Sequence, residues 1–319
     1  MSKTLTLVIL LSLAAMAPFI GTVSLNLQDI FVPGTLSHQI VFELRLPRML
    51  LAFMAGATLA LSGLLFQTLF RNILMTPYTL GISSGAILGA GIGMKLGLGS
   101  LFFGIGAISL FGFFGAVLTV ILLLYLSRFL HHDRGNSLLL LGIALSFFYT
   151  AALMILYYLS SAMENHMLLR FTMGSLSTVG YTTALLVSGA TLLLFGVLHV
   201  KRHELHLFAL SDEQARLKGI ASERLRLKLL IIASLSIGTL ISQTGPIGFI
   251  GLIVPHIVRT LYRRNISRLI VPTFFVGGLF LLSCDVIARS LSAGSDIPIG
   301  IVTALLGGPF FIYLIVTKK

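Results

Sequence analysis

Stretches of about 20 apolar residues, each closed off by charged or turn-forming residues, recur along the whole chain, and a helix of that length crosses the hydrocarbon core of a bilayer. Backbone placed in lipid must satisfy its own hydrogen bonds, so repeated runs of this kind specify an all-α integral membrane fold. The 319 residues are 56% hydrophobic and only 10% charged, which leaves no room for a large soluble domain. Spans are expected near 5–23, 49–70, 78–97, 101–126, 137–159, 181–200, 229–243, 247–261, 269–288 and 298–316: about ten helices in one transmembrane domain over 1–319. The pair between Leu229 and Leu261 is too short for two ordinary crossings, with Gly245-Pro246 as the turn between them. Both are counted, because a single pass would set Arg263, Arg264 and Arg268 opposite the basic segment Lys201–Lys228. Both termini then lie on the cytoplasmic side, with seventeen of the 22 Lys and Arg residues there and Arg45, Arg48, Lys95, Arg170 and Arg289 opposite. Leu5–Ile20, with Ala15-Met16-Ala17 behind it, has the outline of a signal peptide but a longer apolar run, and is read as a retained first span.

A net charge of +12 would point to nucleic acid in a soluble protein. Here the sign follows from where Lys and Arg flank the spans, and no nucleic-acid partner is expected. The single Cys284 excludes an intrachain disulfide and disfavours a thiolate metal cluster. There is no HExxH, no Cys/His grouping of metal-site spacing, no clustered nucleophile and base, and no phosphate-binding G-x-x-x-x-G-K-[ST] loop. The chain therefore reads as non-catalytic, with no metal and no cofactor of its own; if nucleotide hydrolysis powers it, another polypeptide supplies the ATP and Mg site.

Gly81, Gly85, Gly89, Gly93 and Gly97 recur every fourth residue and form one row on a helix. Lipid offers no hydrophobic gain from helix association, so bundles use small residues to bring backbones close. The row is either such a packing face or a conduit lined by bare backbone. The short helices that meet at Gly245-Pro246 leave irregular backbone at membrane depth, which is tolerated inside protein or beside a water-filled space.

Four further groups stand out. Ser211-Asp212-Glu213-Gln214 is a capping box, closed by Gly219, and helix restarts at Ser222-Glu223. It reads as a capped helix on the cytoplasmic face, either a docking element or a solvated loop. Glu43-Leu44-Arg45-Leu46-Pro47-Arg48 stands at the outer mouth of the second span, with Pro47 suited to a first helical turn and two guanidiniums able to pair with external carboxylates. Asp285 and Arg289, spaced i, i+4, favour a mutual ion pair, although Arg289 could face outward. Met163–Val179 reads as an outer amphipathic helix. His256, after Pro255, is a packing residue rather than a metal ligand.

These pieces, in this order, resemble the FecCD-type permeases, membrane subunits of binding-protein-dependent ABC importers for iron-siderophores, haem and cobalamin. The resemblance covers nearly the whole chain. It rests on Arg45-Leu-Pro-Arg48, Gly56 to Gly63 with Gln67 and Arg71-Asn72, Pro77 to Ala86, Met173-Gly174-Ser175, Gly245 to His256 with Arg259, Asp285 to Arg289, and Pro298-Ile-Gly300 to Phe310. Ile73-Leu74-Met75-Thr76 replaces the commoner run after Arg71-Asn72, and Asp296 stands where Glu is commoner. The resemblance implies a permease of the bacterial cytoplasmic membrane that pairs with an identical copy or a paralogue, above a cytoplasmic ATPase dimer and below a periplasmic or lipid-anchored binding protein. A ferric siderophore is the expected cargo, with haem or cobalamin as alternatives and an ion-coupled secondary transporter as the rival mechanism. Arg45, Arg48 and Arg289 are expected to face the binding protein. Leu210, Ser211, Asp212, Gln214, Ala215, Leu217 and Gly219, within coupling helices at about 207–221, are expected to meet the ATPase. Spans three, five, eight and ten and the short helix after span five are expected to line the route, with Gly81, Gly85, Gly89, Met173, Gly174, Ser175, Pro255, His256, Pro298 and Gly300 on it or packed around it.

Overall fold

The computed structural model describes residues 17–19, 26–97, 100–102, 105–129, 134–210, 222–263, 265–291 and 297–317. The expected first span, the coupling residues Ser211, Asp212, Gln214, Ala215, Leu217 and Gly219, and Asp296 lie outside the described residues.

Among the described residues, eleven α-helices of nine or more residues follow one another: α1 (Leu46–Phe70), α2 (Ile82–Lys95), α3 (Ala107–Leu126), α4 (Arg134–Tyr158), α5 (Ala162–Thr172), α6 (Thr182–Val200), α7 (Arg202–Leu210), α8 (Ser222–Thr244), α9 (Ile250–Tyr262), α10 (Ile266–Ser290) and α11 (Ile299–Thr317). Among the described residues, six helices are long and apolar enough to cross a membrane, while α9 and most of α11 form shorter apolar helices. With the 14-residue α2, and with the run near 5–23 counted from the sequence alone, this is consistent with about ten spans.

Three boundaries depart from the sequence expectations. Helix already runs from Leu36, through a π-turn at Ile40–Arg45, and Pro47 stands in the first turn of α1, as its sequence position suggests. The wider turn just before Pro47 accommodates a residue that has no N–H to contribute. The run expected to span from 101 opens instead as a small antiparallel hairpin, β1 (Ser100–Phe102) with β2 (Ile105–Gly106), and helix begins only at Ala107. Finally, α8 begins at Ser222, where the sequence places the restart of helix, and has 23 residues, so of the two passes expected to be short only α9, with 13, is. The polar first turns of α8 belong to the helix although they are too charged to count as apolar span.

Close helix approach builds the bundle around α1. A Cβ on Gly56 would collide with the Gly277 carbonyl of α10, and one on Gly63 with the Gly251 carbonyl of α9. The α1 span is 78% buried and that of α4 only 22%, so α1 is the central post and α4 a peripheral helix. Polar side chains staple neighbours at depth: Thr58 and Thr191 hydroxyls lie 2.6 Å apart, and Ser236 donates to the Ala190 carbonyl at 3.1 Å.

Candidate functional site

The glycine row resolves into a packing face. Gly85 and Gly89 lie on α2 against α3, where added Cβ atoms would strike Thr119 and the Phe111 carbonyl, and Gly93 follows at 3.0 Å from the Phe111 Cβ. Gly81 precedes the helix and Gly97 lies beyond it, so the row is shorter than its spacing suggests. Bare backbone here meets another helix rather than an open path.

Three segments far apart in sequence close on one another next. Helix α5 ends at Thr172, short of the Val179 expected, and Met173-Gly174-Ser175 continues as irregular chain. The Ser175 N–H donates to the Thr244 carbonyl at 2.7 Å, where α8 ends. Gly174 and Gly245 both adopt positive φ, 72° and 67°, which strongly favours glycine. Side chains would also have no room: a Cβ at Gly174 would fall on the Pro246 carbonyl, at Gly245 on the Phe171 carbonyl, and at Gly300 on the Met173 carbonyl. The junction thus joins the α5 exit, the α8–α9 turn and the first turn of α11.

Beyond this junction lies a cavity of about 350 Å³. Leu74, Thr76 and Thr79 of the connection after α1, Leu139 and Ile143 of α4, Phe249 and Leu252 at the start of α9, and Phe311 of α11 are among the residues that line it. Among the described residues, none of its lining side chains is charged. Leu139 belongs to the first turns of α4 and Phe311 to the last turns of α11, so the cavity occupies the half of the bundle toward Arg71. Phe249 adopts φ +67° and caps α9. Its ring fills the notch left by Gly307, where a Cβ would overlap it. A bulky residue in this conformation costs about 1–3 kcal/mol and persists only where packing enforces it.

Gln67 and Arg259 meet beside the cavity. Arg259 Nη1 donates to Gln67 Oε1 at 2.6 Å, and Gln67 Nε2 donates to the Gly251 carbonyl at 3.0 Å. His256 and Phe311 share a small adjoining space with this pair, and the His256 ring sits edge-on to Phe310 at 5.9 Å. Pro255 is buried inside α9. Among the described residues, no group of three or more His, Cys, Asp or Glu converges as a metal site.

At the other end of the bundle the arginines turn inward. Asp285, with 0% exposure, accepts from Arg48 Nε at 3.0 Å and Nη2 at 2.9 Å on one oxygen, while Arg289 Nε lies 3.1 Å from the other. Arg45 is 7% exposed and donates to the Pro18 carbonyl at 2.8 Å. The i, i+4 pair is therefore present, and Arg48 joins it from 237 residues away. Nearby, Lys95 at the end of α2 donates to the Leu159 carbonyl at 2.7 Å and to Glu164 at 3.0 Å. Glu164 and Ser161 form a complete capping box for α5. The Ser161 backbone N–H first, then the Lys95 ammonium and the Ser161 hydroxyl, hold the Glu164 carboxyl below the usual carboxylate range.

The profile of the FecCD transport family matches residues 5–317. The chain belongs to the FecCD transport family. It is 36% identical over 279 residues to a Helicobacter pylori protein named as a probable iron chelatin transport system permease, covering 86% of this chain and 82% of that one. It is 35% identical to the hemin transport system permease protein HmuU of Yersinia pestis, covering 98% and 94%. The vitamin B12 import system permease protein BtuC of Yersinia pseudotuberculosis is 36% identical, covering 88% and 82%. A solved structure described as an inward-facing conformation of a metal-chelate type ABC transporter superposes with a TM-score of 0.85 at 31% identity, covering 97% of both chains. This FecCD chain is thus an ABC importer permease and a multi-pass membrane protein.

Of the residues marked in this FecCD sequence, Met173, Gly174, Ser175 and Gly300 share the junction, and Pro298 lies beside it in the chain. Pro255 and His256 lie on α9 beside the cavity, and Gly81, Gly85 and Gly89 line the α2 entry and packing face. Leu210 closes α7, the helix that leads toward the coupling segment. That helix is anchored: Phe208 is 1% exposed, its carbonyl accepts from Arg71 Nε at 3.0 Å, and the Arg226 guanidinium lies 5.7 Å from its ring centre. The sequence reading overlooked the Arg48–Asp285 pair, the Phe249 wedge and the α5 capping box. The last was legible as Ser161-x-x-Glu164, a standard N-terminal signature.

Proposed function

We propose that this permease conducts a ferric siderophore into the cell, driven by a separate cytoplasmic ATPase dimer and fed by an extracytoplasmic binding protein. The observation that carries the reading is the uncharged 350 Å³ cavity beside the glycine junction, with the junction closing the bundle at the Arg48 end. A lining without charged side chains among the described residues gives a bulky chelate largely apolar surfaces to slide along. The H. pylori relative supports an iron chelate as cargo. Haem is the second reading, favoured by the nearly full-length match to the hemin permease.

Both termini are assigned to the cytoplasm, which puts Arg71, α7 and the cavity on the inner side and Arg45, Arg48 and Arg289 on the outer side. On this assignment the cavity opens inward, as the superposed transporter's described state supports. The Arg48–Asp285–Arg289 cluster, with one more cation than anion, gives the outer end the sign that an acidic binding-protein lobe would meet. The apolar faces of α4 and α11, with Phe147, Phe148, Leu305 and Ile312 exposed, are assigned to lipid and to a second permease copy or paralogue. The segment after Leu210 is assigned to the ATPase.

Cargo is tested in proteoliposomes holding the permease, its ATPase and its binding protein, offered radiolabelled ferric siderophore or haem in separate arms. ATP-dependent uptake of the siderophore with no haem uptake supports the first reading. Haem uptake alone replaces it with the second, and uptake of neither rejects both.

A further inference from the structure

A second cavity, of about 130 Å³, lies between α1, α3, α4 and α8, with the Leu80 and Leu138 side chains in its wall where Thr79 and Leu139 line the first. Phe66, Phe70, Leu123, Leu138 and Leu230 make its walls apolar, and the Arg226 guanidinium and Ser127 hydroxyl also line it. None of the lining residues, among those described, is acidic. Of the polar ones, Arg226 belongs to the opening turns of α8, Ser127 is the residue after α3, and Ser234 lies deeper along α8. Arg128, next to Ser127, is exposed and adds a cation at this end, while Arg224 and Lys228, two residues either side of Arg226, are exposed on the other side of α8. Tyr125 and Phe129, exposed and 5.5 Å apart, stand at the same end of α3, where an interfacial aromatic belt is expected. Apolar walls with Arg226 at one end, and Arg128 beside Ser127 at the same end, match one kind of molecule: a chain of methylenes carrying an anionic phosphodiester at its head.

We propose that this groove binds an anionic phospholipid, with the upper part of one acyl chain between α1, α3 and α8 and the phosphate at Arg226. The volume suits about five methylene groups, so the lipid is held by its upper chain and headgroup while the rest of its tail stays in the bilayer. Juxtamembrane cations attract anionic headgroups by about 1 kcal/mol each, which sets the size of the effect to look for. Arg226 also stacks on Phe208, so the headgroup lies beside the anchor of α7.

The test is native mass spectrometry of the full-length chain after delipidation in detergent and addition of phosphatidylglycerol or phosphatidylcholine with identical acyl chains. One phosphatidylglycerol retained per chain, and little phosphatidylcholine, is expected. Arg226→Gln should lower retention by about fivefold, Arg226→Lys should keep most of it, and Leu123→Trp, which fills the groove, should abolish it. Excess inorganic phosphate should not displace the lipid. Equal retention of the two lipids, retention unchanged in both Arg226→Gln and Leu123→Trp, or displacement by phosphate would each overturn the assignment. None of these readings depends on which cargo the permease carries.

Discussion

Replacing Asp285 by Asn keeps the shape of a fully buried side chain and removes the charge that Arg48 and Arg289 share. Two guanidiniums left without their counter-ion should cost about 3–5 kcal/mol, read as a loss of folded protein in a denaturant titration in mixed micelles. If the Asp285→Asn variant unfolds at the wild-type midpoint, the cluster is not structural. The spacing of Asp285 and Arg289 announced their pair, since i, i+4 neighbours share a helix face. Nothing local announced Arg48, because the contact depends on how α1 and α10 lie together. Gln67 and Arg259 are the same case. Each is a polar residue in an apolar run, and only the packing of α9 on α1 shows that they satisfy one another.

Glycine positions divide at the scale of the elements into those pressed against a neighbour and those beside open space. Gly89→Ala sets a methyl on the Phe111 carbonyl and should destabilise the bundle by about 1–3 kcal/mol. Gly196→Ala, in helix α6 with nothing near its missing Cβ, should be neutral or stabilising by up to about 1 kcal/mol. Thermal unfolding of the two variants, side by side, checks the contrast; equal effects would contradict the packing role of the row. The capping box of α5 carries a pH dependence. Because Glu164 titrates below its ordinary range when folded, its contribution is complete above that range and is lost as pH falls through the depressed value. Amide protection at the start of α5, corrected for intrinsic exchange, should therefore fall on acidification in the wild type and stay flat in Glu164→Gln. Spans of full length were legible from their apolar runs, because length and hydropathy alone decide them. The hairpin before α3 was not, and the start of α8 was legible only from the Ser222-Glu223 helix signal, not from hydropathy. In one an apolar run folds as strand, and in the other charged residues prolong a helix, so hydropathy misplaces both ends.

Seen as a whole molecule, the bundle carries an irregular junction at one end and a cavity toward the other, and the described residues that build them are uncharged. The motifs that marked the family were readable one by one, but their meeting was not: Gly174, Gly245 and Gly300 are brought together by three separate connections. A methyl at Gly245 should hold the junction apart, so Gly245→Ala is expected to leave the helices inserted while lowering coupled uptake at least about tenfold, the scale of a 1.4 kcal/mol shift between two access states. Normal uptake in that variant would remove the junction from the mechanism. The account rests most heavily on the chain being an unpowered gate. Its most direct test is solute accumulation in proteoliposomes containing the permease with its ATPase and binding protein, compared with the permease alone under imposed proton and sodium gradients. Accumulation should require ATP hydrolysis and vanish with a catalytically dead ATPase; uphill transport by the permease alone would contradict it.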